Sequence, residues 1–164
     1  MSTRKVEKES PYYELVKAKL EELLKPRFSN HHLEITSDRK FSNTLKAQVG
    51  SNRDIIFLIL REAAPDITGF IKRDHSSDFI VVEVKAEKTK LDDIHQTRKY
   101  VDLFEAKYAL LVSTEEIPEE IKRLSKVVLT LLLRPGYSPL TLVYFDGKDG
   151  EFRDWFEENP FVRG

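Results

Sequence analysis

The chain reads as an α/β domain, a central mixed β-sheet flanked by helices, and three observations carry that reading. First, the β-branched run Phe79-Ile80-Val81-Val82-Glu83-Val84-Lys85-Ala86 is followed by a helical pattern and then by a second apolar run, Tyr108-Ala109-Leu110-Leu111-Val112. A strand-helix-strand unit of this kind sets its two strands parallel. Second, Ile67 to Ile71 precedes the first run across the polar loop Lys72 to Asp78, the pattern of an antiparallel hairpin, so both strand directions occur. Third, 164 residues of which 40% are hydrophobic suffice for one core, and residues 1–164 are read as a single domain.

Taken in order, Ser10-Pro11 marks a helix start, with serine as N-cap and proline at the first helical position. Tyr13, Val16, Leu20, Leu23 and Leu24 form its apolar stripe, which predicts a helix over 11–25. Short strands are expected between 32 and 49, and the run Asp54 to Leu60 is read as a further strand ahead of the hairpin at 66–86. Thr89-Lys90-Leu91-Asp92 fits a capping box that opens a helix over 90–105, with Leu91, Ile94, Val101 and Phe104 as its stripe. The strand at 108–112 follows. Ile117-Pro118 opens a helix to about Lys126, and Val127 to Leu133 and Leu140 to Phe145 read as two strands about the Arg134-Pro135-Gly136 turn.

The hairpin carries the chemistry. Glu83 and Lys85 lie in an otherwise apolar strand, and an unpaired charge taken out of water costs several kcal/mol or neutralises itself. At i and i+2 in a strand the two side chains share one face. Other acid-x-Lys triplets, at Asp38, Glu105, Glu120 and Asp146, fall in turn-like or helix-like segments where a solvated charge is ordinary. Folding the hairpin about its loop brings Asp66 opposite Val84, give or take one position. Asp66 joins Glu83 and Lys85 only if it pairs opposite one of those two. The site so formed offers carboxylate oxygens and a carbonyl to a hard cation such as Mg²⁺.

Pro65-Asp66, a spacer, then Glu83-Val84-Lys85 at the end of an apolar strand resembles the signature of the PD-(D/E)xK nuclease superfamily, whose members include restriction endonucleases and archaeal Holliday-junction resolvases. The likeness covers residues 54–113. It implies a restriction-endonuclease-like domain and a metal-dependent nuclease that hydrolyses DNA phosphodiester bonds. In that resemblance Asp66, Glu83 and the backbone of Val84 hold Mg²⁺, with Mn²⁺ as substitute, and Lys85 positions the attacking water. Gln96 and Tyr100, one turn apart on the following helix, are similar to the Gln-x-x-x-Tyr pair of the recombination-exonuclease subgroup, which implies a role for Gln96 at the active site. The resemblance also implies a carboxylate from the first helix, and Glu14 is its counterpart. The alternative is a nuclease-like domain that binds nucleic acid or a partner protein without cleaving it.

A formal net charge of −1 gives no whole-molecule attraction to phosphate, so any DNA surface is local. Lys72 and Arg73 in the hairpin loop, Lys88 and Lys90 after the motif, and Arg98 on the helix are its candidates, with Arg39, Lys40, Lys46 and Arg53 upstream and Lys99 beside Arg98. With zero cysteines, thiolate metal sites and disulfides are out of reach. His31, His32 and His95 lack zinc-site spacing, and neither a phosphate-binding glycine loop nor a serine-hydrolase elbow occurs. No apolar run is long enough for a membrane span and no secretory signal is evident, so the reading is a soluble cytoplasmic protein. The apolar stretches at 127–133 and 140–145, read as an edge needing cover, predict a homodimer.

Overall fold

A six-stranded sheet organises the chain. The computed structural model describes residues 3–162, with side chains from Lys8 onward. The elements run α1 (Thr3–Leu24), β1 (His31–Ile35), α2 (Asn43–Val49), α3 (Ile56–Ile59), β2 (Ile67–Lys72), β3 (Ser77–Lys85), α4 (Leu91–Phe104), β4 (Tyr108–Ser113), α5 (Glu119–Val127), β5 (Leu140–Asp146) and β6 (Glu151–Phe156). The strands lie side by side in sequence order. β3, β4 and β5 are parallel neighbours, while β1, β2 and β6 join by antiparallel pairings, so the sheet is mixed as expected.

Each sheet face has its own core. Alternate residues of β2 and β3, namely Ile67, Ile71, Ile80, Val82 and Val84, pack with Tyr13, Val16, Leu20 and Leu24 of α1. Phe70, Phe79 and Val81 on the opposite face pack with α2 to α5 through Leu45, Ile56, Ile94, Val101, Phe104 and Ile121. β3 is therefore covered on both sides, and burial of both its faces explains why it reads as a nearly continuous apolar run. Gly69 of β2 has a local reason. A Cβ there would stand 2.1 Å from the His32 carbonyl oxygen of β1, closer than any side chain fits.

Several sequence expectations are corrected. Residues 54–60 form no strand: α3 and the turn before it coil there, with the Phe57 N–H donating to the Asp54 carbonyl and the Leu60 N–H to the Ile56 carbonyl. Ile56 and Leu60 are the buried pair, four residues apart, which is helical spacing that a short all-apolar run conceals. Of the short strands expected at 32–49, only β1 forms. Ser42 then caps α2, its side chain accepting from the Leu45 N–H at 3.1 Å. α1 begins before Pro11 rather than at it. The cap of α4 lies one residue later than expected, with Asp93 accepting from the Lys90 N–H at 2.9 Å.

Residues 128–133 are likewise no strand but turns following α5. The Arg98 guanidinium donates to the Thr130 and Leu131 carbonyls, while Leu131 and Leu132 turn into the core. β5 lies inside the sheet between β4 and β6, so the bare edge expected there does not exist. β6, built on Phe152, Trp155 and Phe156, is a strand the sequence pattern did not announce. Among the described residues no helix is long and apolar enough to cross a membrane.

Candidate active site

The site lies where β2 begins and β3 ends. Ile67 pairs with Val82, so Asp66, one residue earlier, falls opposite Glu83, which is one of the two registers that let the motif converge. Two hydrogen bonds lock this register. The Asp66 N–H donates to Glu83 Oε1 at 2.9 Å, and the Val84 N–H donates to Asp66 Oδ2 at 2.8 Å. Thr36, just past β1, fixes the Pro65-Asp66 backbone from the other side. Its N–H donates to the Asp66 carbonyl at 2.8 Å and its hydroxyl to the Pro65 carbonyl at 2.6 Å.

Asp66, Glu83 and Lys85 are 5%, 3% and 1% exposed. The Lys85 Nζ lies 3.8 Å from Glu83 Oε2 and 3.9 Å from Oδ1 of Asp93, a buried carboxylate on the first turn of α4. Burial, followed by the charge of Asp66, holds the Glu83 carboxyl well above the usual carboxylate range, against the opposing pull of Lys85. Two tyrosines feel the same field. Burial and the charges of Asp66 and Glu9 raise the Tyr13 phenol, which also hydrogen-bonds Asp66, and burial and the charge of Glu83 raise that of Tyr100.

Of the two α1 carboxylates it is Glu9, not Glu14, that packs toward Glu83 and Tyr13. Glu14 is exposed, whereas Glu9 is 2% exposed and adds to the field on both Tyr13 and Glu83. Its signal was present: Glu9 lies four residues before Tyr13, continuing the buried stripe by one turn. Reading Ser10-Pro11 as the helix start cut the stripe short. Asp93 was missed for a similar reason, because the capping box was placed one residue early.

No protein-family model, curated protein or solved structure matches the chain. What the site can do is set by its own residues. A pocket of about 450 Å³ opens onto it, lined by Tyr13, Asp38, Arg39, Glu62, Asp66 and Gln96, so Gln96 does come to the site. Its amide donates to the Tyr100 hydroxyl at 3.4 Å. The Val84 N–H holds the Asp66 carboxylate, while its side chain is in the core under α1.

The basic candidates divide. Lys88 and Lys90 are exposed on the loop leaving β3, at the site's end of the sheet, with Lys90 3.6 Å from Glu87. Lys72 and Arg73 stand at the far end of the six-residue β2, about 20 Å away at about 3.3 Å per residue. There Lys72 donates to Gln48, and Arg73 pairs with Asp78 at 2.7 Å. Arg98 is spent on the backbone of 130–131. Lys72 and Arg73 are thus remote from the carboxylates, and Arg98 is engaged within the fold.

Among the described residues, no three His, Asp or Glu side chains stand close enough to cage an ion by themselves. The donors nonetheless fit Mg²⁺, which takes one or two carboxylates and completes its shell with water and substrate phosphate. Asp66 and Glu83 present two desolvated carboxyl groups side by side, with Glu9 adding to the negative field.

Proposed function

We propose that the protein is a Mg²⁺-dependent nuclease that hydrolyses DNA phosphodiester bonds, of the PD-(D/E)xK kind that Pro65-Asp66 and Glu83-Val84-Lys85 resemble. The observation that carries this reading is the placement of Asp66 beside Glu83 with the Lys85 ammonium 3.8 Å away, all on one face at a strand end. Asp66 and Glu83 would hold Mg²⁺, which when bound polarises the phosphate and favours the ionised form of a nearby water. Lys85 then orients that water for attack in line with the leaving oxygen and opposes the charge that builds on the phosphate. Gln96 and Tyr13 line the pocket through which a phosphodiester reaches the carboxylates. Arg39 lines that pocket, and Lys88 and Lys90 are exposed on the loop that leaves β3.

The second reading, a domain that binds DNA or a protein without cutting, draws its support from the burial of Lys85 between two carboxylates. One assay separates them. Supercoiled plasmid and a branched junction are incubated with Mg²⁺ or Mn²⁺, with EDTA, and with Asp66→Ala. Cleavage that needs the metal and is lost in the variant supports the nuclease; DNA binding without cleavage supports the alternative.

A further inference from the structure

Beside the carboxylate site lies a larger pocket of about 610 Å³, within the range of about 300 to 1,000 Å³ typical of ligand sites. Four cations, Arg39, Lys40, Lys46 and Arg61, line it against one carboxylate, Asp54. Among the described residues none of the four pairs with a carboxylate side chain, whereas neighbouring Arg53 is held by Glu105 at 3.3 Å. In a chain of net charge −1 this is a local excess of positive charge, and it favours an anionic occupant.

The rest of the lining is apolar. Phe41 and Phe57 meet edge to face at 5.0 Å, the Lys46 ammonium lies 5.7 Å from the Phe57 ring centre, and Ile55 and Leu58 are 58% and 50% exposed. Cations beside partly open aromatic and aliphatic surface suit a ligand that is both phosphate and unstacked base. A paired duplex presents its phosphates but keeps its bases stacked away from such a wall.

Position completes the argument. Arg39 lines both this pocket and the one that opens onto Asp66, and the segment from Asp54 to Arg61 runs directly into Glu62 and Ala63 of the second. Arg39 is also held in the left-handed backbone region, φ 67°, which costs a non-glycine residue on the order of 1 kcal/mol. We propose that this pocket binds an unpaired nucleotide of a single DNA strand whose neighbouring phosphodiester lies at the carboxylates. The inference rests on reading those carboxylates as a phosphodiester site.

The test is fluorescence anisotropy in EDTA, where nothing is cut, with a labelled oligo-dT strand and a blunt duplex of equal length. Wild-type protein is expected to prefer the single strand. Lys46→Glu with Arg61→Glu, both on exposed positions, should weaken single-strand binding at least tenfold. The pair should also flatten the slope of log affinity against log salt by about 1.4, two phosphate contacts at ~0.7 each. Ile55→Ser should weaken single-strand binding without changing that slope. Equal or tighter binding of the duplex by wild type, or unchanged strand binding by the charge-reversed protein, overturns the proposal. Strand preference kept in a protein that never cleaves would refute the nuclease reading and leave the binding pocket standing. Cleavage that survives while strand preference is absent would do the reverse.

Discussion

At Lys85 a fully buried ammonium is shared between Glu83 and Asp93, at 3.8 and 3.9 Å, and neither contact is a close ion pair. Lys85→Met, which keeps the stem, is expected to lower metal-dependent cleavage by about 10²- to 10⁴-fold, the usual worth of a proton-handling group. A circular-dichroism spectrum unchanged from wild type would show that the loss is chemical. Glu83 makes a prediction in pH. Its folded pKa is raised by burial and by Asp66, so the native state binds more protons than the unfolded chain between the ordinary carboxylate value and the raised one. Stability of the metal-free protein therefore falls as pH rises through that window, and is highest below it. Glu83→Gln should remove that decline and raise the metal-free Tm at neutral pH, while abolishing the upward Tm shift that Mn²⁺ produces in wild type. Calorimetry from pH 4 to 8, with and without Mn²⁺, checks both; a wild-type Tm indifferent to millimolar Mn²⁺ would mean that no ion binds there. The same calorimetry distinguishes the two α1 carboxylates. Glu9→Gln should reduce the Mn²⁺ shift, and Glu14→Gln, on the exposed side of the helix, should leave it alone.

Between elements, the site depends on how β1 is seated against β2. Thr36 bridges the end of β1 to the Pro65 and Asp66 carbonyls and is fully buried; Thr36→Val keeps the N–H bond to Asp66 but strips the hydroxyl from the buried Pro65 carbonyl and Thr68 hydroxyl, which should cost about 1 to 3 kcal/mol. Urea unfolding measures the cost, and a fall in cleavage beyond it would show that Asp66 has lost its placement. Gly69→Ala acts on the same pairing. Its new methyl would meet the His32 carbonyl at 2.1 Å, and backbone cannot yield as a flexible side chain does, so β1 must move. The expected cost is at or above the upper end of the about 1 to 3 kcal/mol typical of overpacking.

On the scale of the whole molecule, the homodimer expected from a bare strand edge has lost that reason, because β6 covers β5. The proposal of a dimer now stands on Val127, Leu129 and Leu133, which are 78%, 63% and 50% exposed where the turns leave α5. Two cuts on opposite strands would need two copies of a one-centre enzyme, which is the functional motive. Sedimentation equilibrium at micromolar protein is expected to show twice the 19.1 kDa chain mass, and Leu129→Lys to restore the monomer. A monomer at all concentrations, with and without DNA, would refute it.

The sequence by itself determined the features that depend on neighbours along the chain. Period-2 spacing puts Glu83 and Lys85 on one face, a strand-helix-strand order makes β3 and β4 parallel, and the hairpin loop returns the chain to within one residue of the motif's register. Only the tertiary structure decided the rest, and the reason is the same in each case. Apolar burial is non-directional, so Asp54 to Leu60 and Val127 to Leu133 carry the hydrophobicity of strands while α3 and turns satisfy their backbone groups as well. The register of Asp66 was settled by hydrogen bonds to Glu83 and Val84 that link residues far apart in sequence, and the choice of Glu9 over Glu14 by which face of α1 packs against the strands. Local pattern could name the carboxylates; packing chose which of them meet.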